Sequence, residues 1–286
     1  MDAPLLPIDV VAGPAARGDV VVFAHGILGN KNNWKSFAKK LTELAPHMTA
    51  VLVDLRRHGD AHDPRFREVD DTVRGAGADV VRTLAAHGRV PSVLVGHSWG
   101  GKCMLALALD RAFPDLAHVV VVDAPPGVRT FHGGAGEEVE RVVDVVSSLP
   151  EGLARDRRHL VEVLTGRGLS MPIAQWMTTN VVPRSSGVTD DGLTLQWRFE
   201  LPAVRRMLTD FGALDLWPQL LAHRAPPGVH MVRGGRSDRW KPDEQQKLQE
   251  AVAAHVVIDT VLPAAGHWVH TDDPAGLMSV VFPLCQ

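Results

Sequence analysis

Four short apolar runs recur in the first half of the chain, each ending in a polar, glycine-punctuated loop. They are Asp19–Ala24 (DVVVFA), Thr49–Leu55 (TAVLVDL), the run beginning at Ser92 and closing at Val95, and Ala117–Asp123 (AHVVVVD). Because these runs are continuous instead of alternating, they predict strands covered on both faces, as in a parallel sheet. Helical spacing follows the strands: Trp34, Phe37, Leu41 and Leu44 recur on one face of Asn33–Leu44, and Val69–His87 and the stretch from Gly100 to Phe113 also read as helices. Gly75 and Gly77 weaken the first part of the second helix. An edge strand is expected around Leu5–Val11. Strand and helix alternating in this way predict an α/β chain with a mostly parallel, doubly wound sheet, because each crossover must return right-handed. Ligands of such sheets bind outside the carboxyl ends of the strands, where the loops carrying His25, Asp54, Ser98 and Asp123 lie.

The pattern changes after Pro126. Gly127–Leu216 shows no convincing β-run and reads as helices over Glu137–Leu149, Leu160–Leu164 and Ile173–Thr178, with a polar loop at Pro183–Gly192. The sheet then resumes with a strand at Val229–Arg233, a helix at Pro242–Ala254, a strand at Val256–Leu262 and a closing helix at Pro274–Phe282. The expected organisation is one core, residues 1–126 and 217–286, with a helical lid inserted at 127–216 before the last two strands. Trp176, Met177, Trp197, Phe199, Met207 and Trp217 supply large apolar surface in or next to the lid. Most are expected to form its own core, with Trp176 and Trp197, together with Leu28, as candidates to face a substrate.

The 286 residues suffice for a substantial core. Thirty basic and 33 acidic residues are interspersed to a net charge of −3, which leaves no electrostatic footprint for nucleic acid or an anionic membrane. The two cysteines, Cys103 and Cys285, imply no disulfide framework and fit a reducing compartment. The N-terminus lacks a basic segment followed by a long apolar one, and no run is long enough to span a bilayer. A cytoplasmic protein with a small-molecule partner is expected; organellar import after loss of a leader is equally compatible.

The candidate chemistry centres on Gly96-His97-Ser98-Trp99-Gly100, where a strand turns into a helix. A sharp turn of this kind strains the residue at its apex and leaves no room for side chains two residues either side, which accounts for both glycines. Serine needs a base to take its proton and an acid to orient that base. The loop after Val229–Arg233 offers Asp238, and the loop after the last strand offers His267, preferred over His270 because Gly266 suits the turn off the strand. The oxyanion hole calls for two main-chain N–H groups: that of Trp99, after the nucleophile, and that of Ile27 in the early loop, with Leu28 second to Ile27. His25, His58 and His97 are expected to stabilise their own loops, and Lys102 to tie its helix to a nearby loop. His58 and His62 with Asp60 or Asp63 have metal-ligand spacing without a convincing fourth ligand, so no metal and no cofactor is expected.

HGILG (25–29), DLRRHGD (54–60), GHSWGGK (96–102), QWRFELPAV (196–204), RGGRSD (233–238) and AGHWVH (265–270) together resemble the α/β-hydrolase superfamily over nearly the whole chain. More narrowly they resemble the serine esterases of the YbfF and abhydrolase-domain protein 11 group. That resemblance implies a serine hydrolase cleaving short- to medium-chain acyl esters or thioesters through an acyl-enzyme. The chain departs from the group's pattern at Trp99, where methionine is usual, and at Asp238, where relatives often lack an acid. In some relatives the acid follows the strand before the lid, which corresponds to Asp123. Asp238 is preferred as the third member of the triad and Asp123 is the alternative. GHSWG is also reminiscent of prolyl aminopeptidases, so an aminopeptidase, amidase or acyltransferase is a competing reading, although Glu137, Glu138 and Glu140 read as a solvated helix face. A non-catalytic ligand-binding receptor is the remaining alternative.

Overall fold

A computed structural model of the chain describes residues 4–61, 71–129, 138–149, 154–184, 192–224 and 227–286. Seven of its strands form one sheet: β1 (Ile8–Ala12), β2 (Asp19–Ala24), β3 (Met48–Val53), β4 (Pro91–His97), β5 (His118–Val122), and, after an intervening pair β6 (Val181–Pro183) and β7 (Leu195–Trp197), β8 (Gly228–Gly234) and β9 (Val257–Leu262). The order across the sheet is β1-β3-β2-β4-β5-β8-β9. Only β1 runs antiparallel, pairing Ile8 with Val53. The parallel register sets Ala24 beside Gly96, His97 beside Val122 and Gly234 beside Leu262. The loops after the six parallel strands, β2, β3, β4, β5, β8 and β9, therefore leave the sheet along one edge.

Alternation within the apolar runs explains why both faces are covered. Val20, Val22 and Ala24 of β2 pack into one core with Val80, Leu84, Leu105 and Leu248, from the helices Val73–Ala86, Ser98–Leu109 and Pro242–Ala253. Val21 and Phe23 point the other way, to Trp34, Phe37, Leu41, Leu277 and Val281 on the helices at Lys35–Leu44 and Pro274–Val281 and the turn before the first. The helix that Ser98 begins is buried almost all round and apolar on every side, as its place between sheet and helices requires. Local capping sharpens the expected boundaries. Asn30 and Asn33 form a capping box over a separate 3₁₀ turn, Lys31–Trp34, and the Thr72 hydroxyl accepts from the Gly75 N–H to start the next helix at Val73.

Between β5 and β8 the described α-helices lie at Glu138–Ser147, Arg157–Gly166, Met171–Met177, Leu201–Ala213 and Trp217–Leu221. The expectation of no strand in this segment is corrected: β6 and β7 form an antiparallel pair, Val182 opposite Gln196. Three-residue strands are too short to register as a hydrophobic run. Most of the polar loop expected at Pro183–Gly192 lies outside the described residues. The segment is tied to the core by buried polar contacts. Lys102, fully buried, donates to the carbonyls of Gly127 (2.8 Å) and Phe211 (2.7 Å), and Asn30 Nδ2 donates to Asn180 Oδ1 at 2.7 Å. Lys102 thus clamps both ends of the segment where one nearby loop was expected.

The close crossing of β2 and the helix after β4 generates a stability prediction. A Cβ on Gly100 would stand 2.3 Å from the His25 carbonyl oxygen, whereas one on Gly166 meets nothing within 4 Å. Helix propensity favours alanine at both by about 1 kcal/mol, but at Gly100 the clash with backbone wins. Urea unfolding should show Gly100→Ala destabilised by roughly 1–3 kcal/mol and Gly166→Ala unchanged or more stable.

Candidate active site

β4 passes directly into the helix Ser98–Leu109, and Ser98, its first residue, sits at φ 51°. A serine in the left-handed region is strained, and the strain persists only because its surroundings force it. On Gly96 a Cβ would fall 2.4 Å from the Gly100 carbonyl oxygen, so neither glycine of the pentapeptide can be replaced without moving backbone. The turn places the serine at the N-terminal end of a twelve-residue helix, whose first N–H groups have no intrahelical acceptor.

His267 is buried in the loop after β9, and its Nδ1 donates to Asp123 Oδ2 at 2.7 Å, which assigns the proton to Nδ1 and leaves Nε2 as an acceptor. Asp123, also buried, follows β5 at φ 50°. Its Oδ2 additionally accepts from the Ser237 hydroxyl (2.5 Å), and its Oδ1 from Gly234 N–H (3.2 Å) and Trp240 Nε1–H (3.1 Å). The structure does not bring Asp238, the acid preferred from sequence, to His267. Its side chain is 53% exposed and pairs with Arg239 at 3.3 Å. Within RGGRSD it is Ser237 that reaches inward, one residue earlier, at the close of a turn in which the Ser237 N–H donates to the Gly234 carbonyl at 3.1 Å. Burial raises the Asp123 carboxyl above its ordinary value, against the pull of its hydrogen-bond donors. Burial also holds the His267 imidazole well below its ordinary value, and the Arg239 and Arg129 guanidiniums add to that effect.

The early loop is held by histidines acting as acceptors. His58 Nε2 accepts from Leu28 N–H (3.0 Å), and His25 Nε2 accepts from Leu55 N–H (3.0 Å). Each ring donates through Nδ1 to a nearby carbonyl, that of Arg56 for His58 and Gly26 for His25. His97 donates through Nε2 to the His267 carbonyl at 2.8 Å. These three rings stitch neighbouring loops to one another, beyond the own-loop role expected. Asp54 completes the brace: it accepts from Lys31 N (2.6 Å), Lys31 Nζ (2.9 Å) and Asp60 N (2.8 Å), over Gly59 at φ 55°. Because the Leu28 N–H is taken by His58, it is withdrawn from the oxyanion role. The main-chain N–H groups of Ile27 and Trp99 have no partner among the described residues, and both residues border the cavity at Ser98.

That cavity measures about 20 Å³ and is lined by Ser98, Asp123 and His267 together with Arg129, Phe211 and Arg239. No hydrogen bond joins Ser98 to His267 among the described residues, a looseness common in such pairs until substrate closes the gap. Leu28, Trp176 and Trp197, expected to face the substrate, are not part of this lining. Leu28 turns into the core, Trp197 stacks on Phe199 at 5.0 Å, and Trp176 meets Trp268 at 4.5 Å on the wall of a separate cavity. Val139 and Leu208 take their place. Only their positions on helix faces could have marked them, and those faces read equally well as packing. Of the acidic cluster, Glu140 is buried where a solvated face was expected, Glu137 lies outside the described residues, and nothing is described of the Glu138 side chain. His62 and Asp63 also lie outside the described residues, and the described ones hold no group of three or more metal-ligating side chains. No described helix is long and apolar enough to cross a membrane.

A strained serine at the end of the central strand thus shares a cavity wall with a buried histidine, after the last strand, that is hydrogen-bonded to a buried aspartate. The chain belongs to the alpha/beta hydrolase family, whose model matches residues 21–280. It is similar to the sn-1-specific diacylglycerol lipase ABHD11 of Mus musculus, with 32% identity over 267 residues covering 91% of this chain and 79% of that protein. It is also similar to the esterase YbfF of Escherichia coli, with 24% identity covering 91% of each. Among solved structures, one described as a marine microorganism esterase superposes with a TM-score of 0.78 at 17% identity, covering 98% of this chain and 99% of that one. This protein is accordingly an enzyme of the α/β-hydrolase class with esterase- and lipase-type relatives.

The buried histidines make the fold acid-sensitive. Burial lowers His25, His230 and His270 from 6.5 to about 4 and holds His97 and His267 well below their ordinary value. Between about pH 6.5 and pH 4 the unfolded chain therefore binds protons that these five rings refuse in the fold, so stability falls as pH falls. Asp123 and Glu244, raised by burial, act in the opposite direction but are fewer. Each fully buried ring contributes a slope of about 1.4 kcal/mol per pH unit. Urea titrations should show stability level above about pH 7 and declining steadily below about pH 6.

Proposed function

We propose that this protein is a serine hydrolase that cleaves carboxylic esters or thioesters of short to medium acyl chains through an acyl-enzyme. The observation that carries the reading is the 2.7 Å contact between His267 Nδ1 and Asp123 Oδ2 on the wall of the same cavity as the strained Ser98. Ser98 Oγ attacks the acyl carbon as His267 Nε2 takes its proton. Asp123 holds the ring and stabilises the imidazolium, and the Ile27 and Trp99 amides receive the oxyanion. Collapse of the tetrahedral intermediate breaks the bond to the alcohol or thiol, which leaves with the proton from His267. Water, deprotonated by the same imidazole, then releases the acid and restores Ser98. Segment 127–216 acts as the lid, since it supplies Arg129, Val139, Leu208 and Phe211 to the cavity wall. The esterase and lipase names of the relatives support an ester bond as the target.

The decisive assay is hydrolysis of a 4-nitrophenyl ester series. Ser98→Ala should lower kcat on the order of 10⁴-fold or more, and undiminished turnover would end the proposal. Asp123→Asn should cost roughly 10²–10⁴-fold, while Asp238→Asn stays close to the parent enzyme; the reverse pattern would return the acid's role to Asp238. Because His267 is held below 6.5, the acid limb of kcat/KM against pH should have its midpoint below that value, with full activity retained at neutral pH.

A further inference from the structure

The space immediately at Ser98 is small, about 20 Å³. Pro125, Arg129, Phe211 and Arg239 also wall an adjoining recess of about 250 Å³, so a substrate whose carbonyl sits at Ser98 can extend past these residues. The charged groups lining the inner cavity, besides His267, are Asp123, Arg129 and Arg239. Asp123 is consumed by His267, Ser237, Gly234 and Trp240. Every remaining polar side chain among the lining residues is then a donor, apart from Ser98 and the His267 Nε2. Trp99, another lining residue, adds no acceptor side chain: its indole Nε1–H is buried and has no hydrogen-bond partner among the described residues.

Two guanidiniums at this place also work against the chemistry, because both oppose the protonation of His267 that the reaction demands, and Asp238, paired with Arg239 at 3.3 Å, counters them with a smaller effect. A negative group on the substrate would offset them as it binds. Carboxylate is the anion whose planar pair of oxygens matches a guanidinium fork. Within the recess, Lys241 adds a cation and Asp243 an exposed acid, while Glu244 is occupied by the Trp217 indole at 2.9 Å and the Gly127 N–H at 3.3 Å.

We propose that the enzyme selects esters or thioesters that carry a carboxylate a few bonds from the scissile carbonyl, with Arg129 and Arg239 as its receptors. The inference rests on the serine-hydrolase reading for its substrate frame, and the test separates the two. Two matched pairs place the charge on either side of the ester: 4-nitrophenyl hemisuccinate against 4-nitrophenyl butyrate, and 3-carboxyphenyl acetate against phenyl acetate. In one pair the anionic ester should be favoured in kcat/KM by on the order of tenfold or more. That preference should fall about tenfold in Arg129→Gln and in Arg239→Gln, and added salt should weaken it. Neutral esters preferred or equal in both pairs would overturn the proposal, as would a preference unmoved by both substitutions.

Arg239 is buried, so Arg129→Gln, at a half-buried site, keeps the test open if the other variant fails to fold. Should no ester be turned over, the hydrolase reading fails on its own, and calorimetry with Ser98→Ala protein decides the anion site. Monomethyl succinate binding more tightly than methyl butyrate, with the difference lost in Arg129→Gln, would sustain it; equal binding would refute it.

Discussion

The carboxylate of Asp123 is the point on which the site depends. A buried carboxylate is costly unless its lone pairs are satisfied, and here four donors from three directions satisfy it: His267 from the loop after β9, Gly234 and Ser237 from the end of β8 and its loop, and Trp240 beyond them. Those bonds do two things at once. They hold the carboxylate in place, and they draw two crossover loops into one corner, so that the imidazole has a single orientation. A lone Asp–His contact would leave the ring free to turn; a carboxylate clamped on both oxygens does not.

The opposite wall is built by a different device. Neutral histidines link loops by accepting a main-chain N–H on one ring nitrogen and donating from the other, which only an unprotonated imidazole can do. His58 takes the Leu28 N–H, and this leaves the preceding amide, that of Ile27, without a partner among the described residues at the border of the Ser98 cavity. Buried Asp54 and Lys31 brace the same loop from behind. Left-handed dihedrals at Leu28, Arg57, Ser98 and Asp123 collect at this edge of the sheet, as expected where surrounding structure holds residues in strained conformations for a purpose. Bulky Trp99 fits this scheme: it is almost completely buried, and its ring lies 6.1 Å from that of His58.

Much of this was legible before the fold was known. Continuous valine-rich runs marked β2 to β5 and β8 to within a residue or two, because strands covered on both faces have no polar positions to blur them. Ser98 was legible because its glycines are demanded by sterics that operate locally, and His267 because a glycine precedes it just after the last strand. The small pair β6 and β7 was not, since three residues carry no period. Nor were Val139 and Leu208, whose apolar side chains on amphipathic helices give no sign of whether they meet a cavity or a core.

The choice between two acids shows where the sequence stops. Both Asp123 and Asp238 follow strands at the correct edge, and the chain alone dictated that much, since strand ends and their order follow from hydrophobic pattern and handed crossovers. Which of them reaches His267 depends on β5 and β8 lying side by side, and on the loop after β8 turning Ser237 inward and Asp238 to solvent. Likewise the sequence supplied Arg129 and Arg239, 110 positions apart in the numbering, as unremarked charges. Their meeting at the Ser98 cavity is a property of tertiary structure alone, because contact between residues so distant along the chain is set by how the layers pack and not by any local preference of the residues themselves.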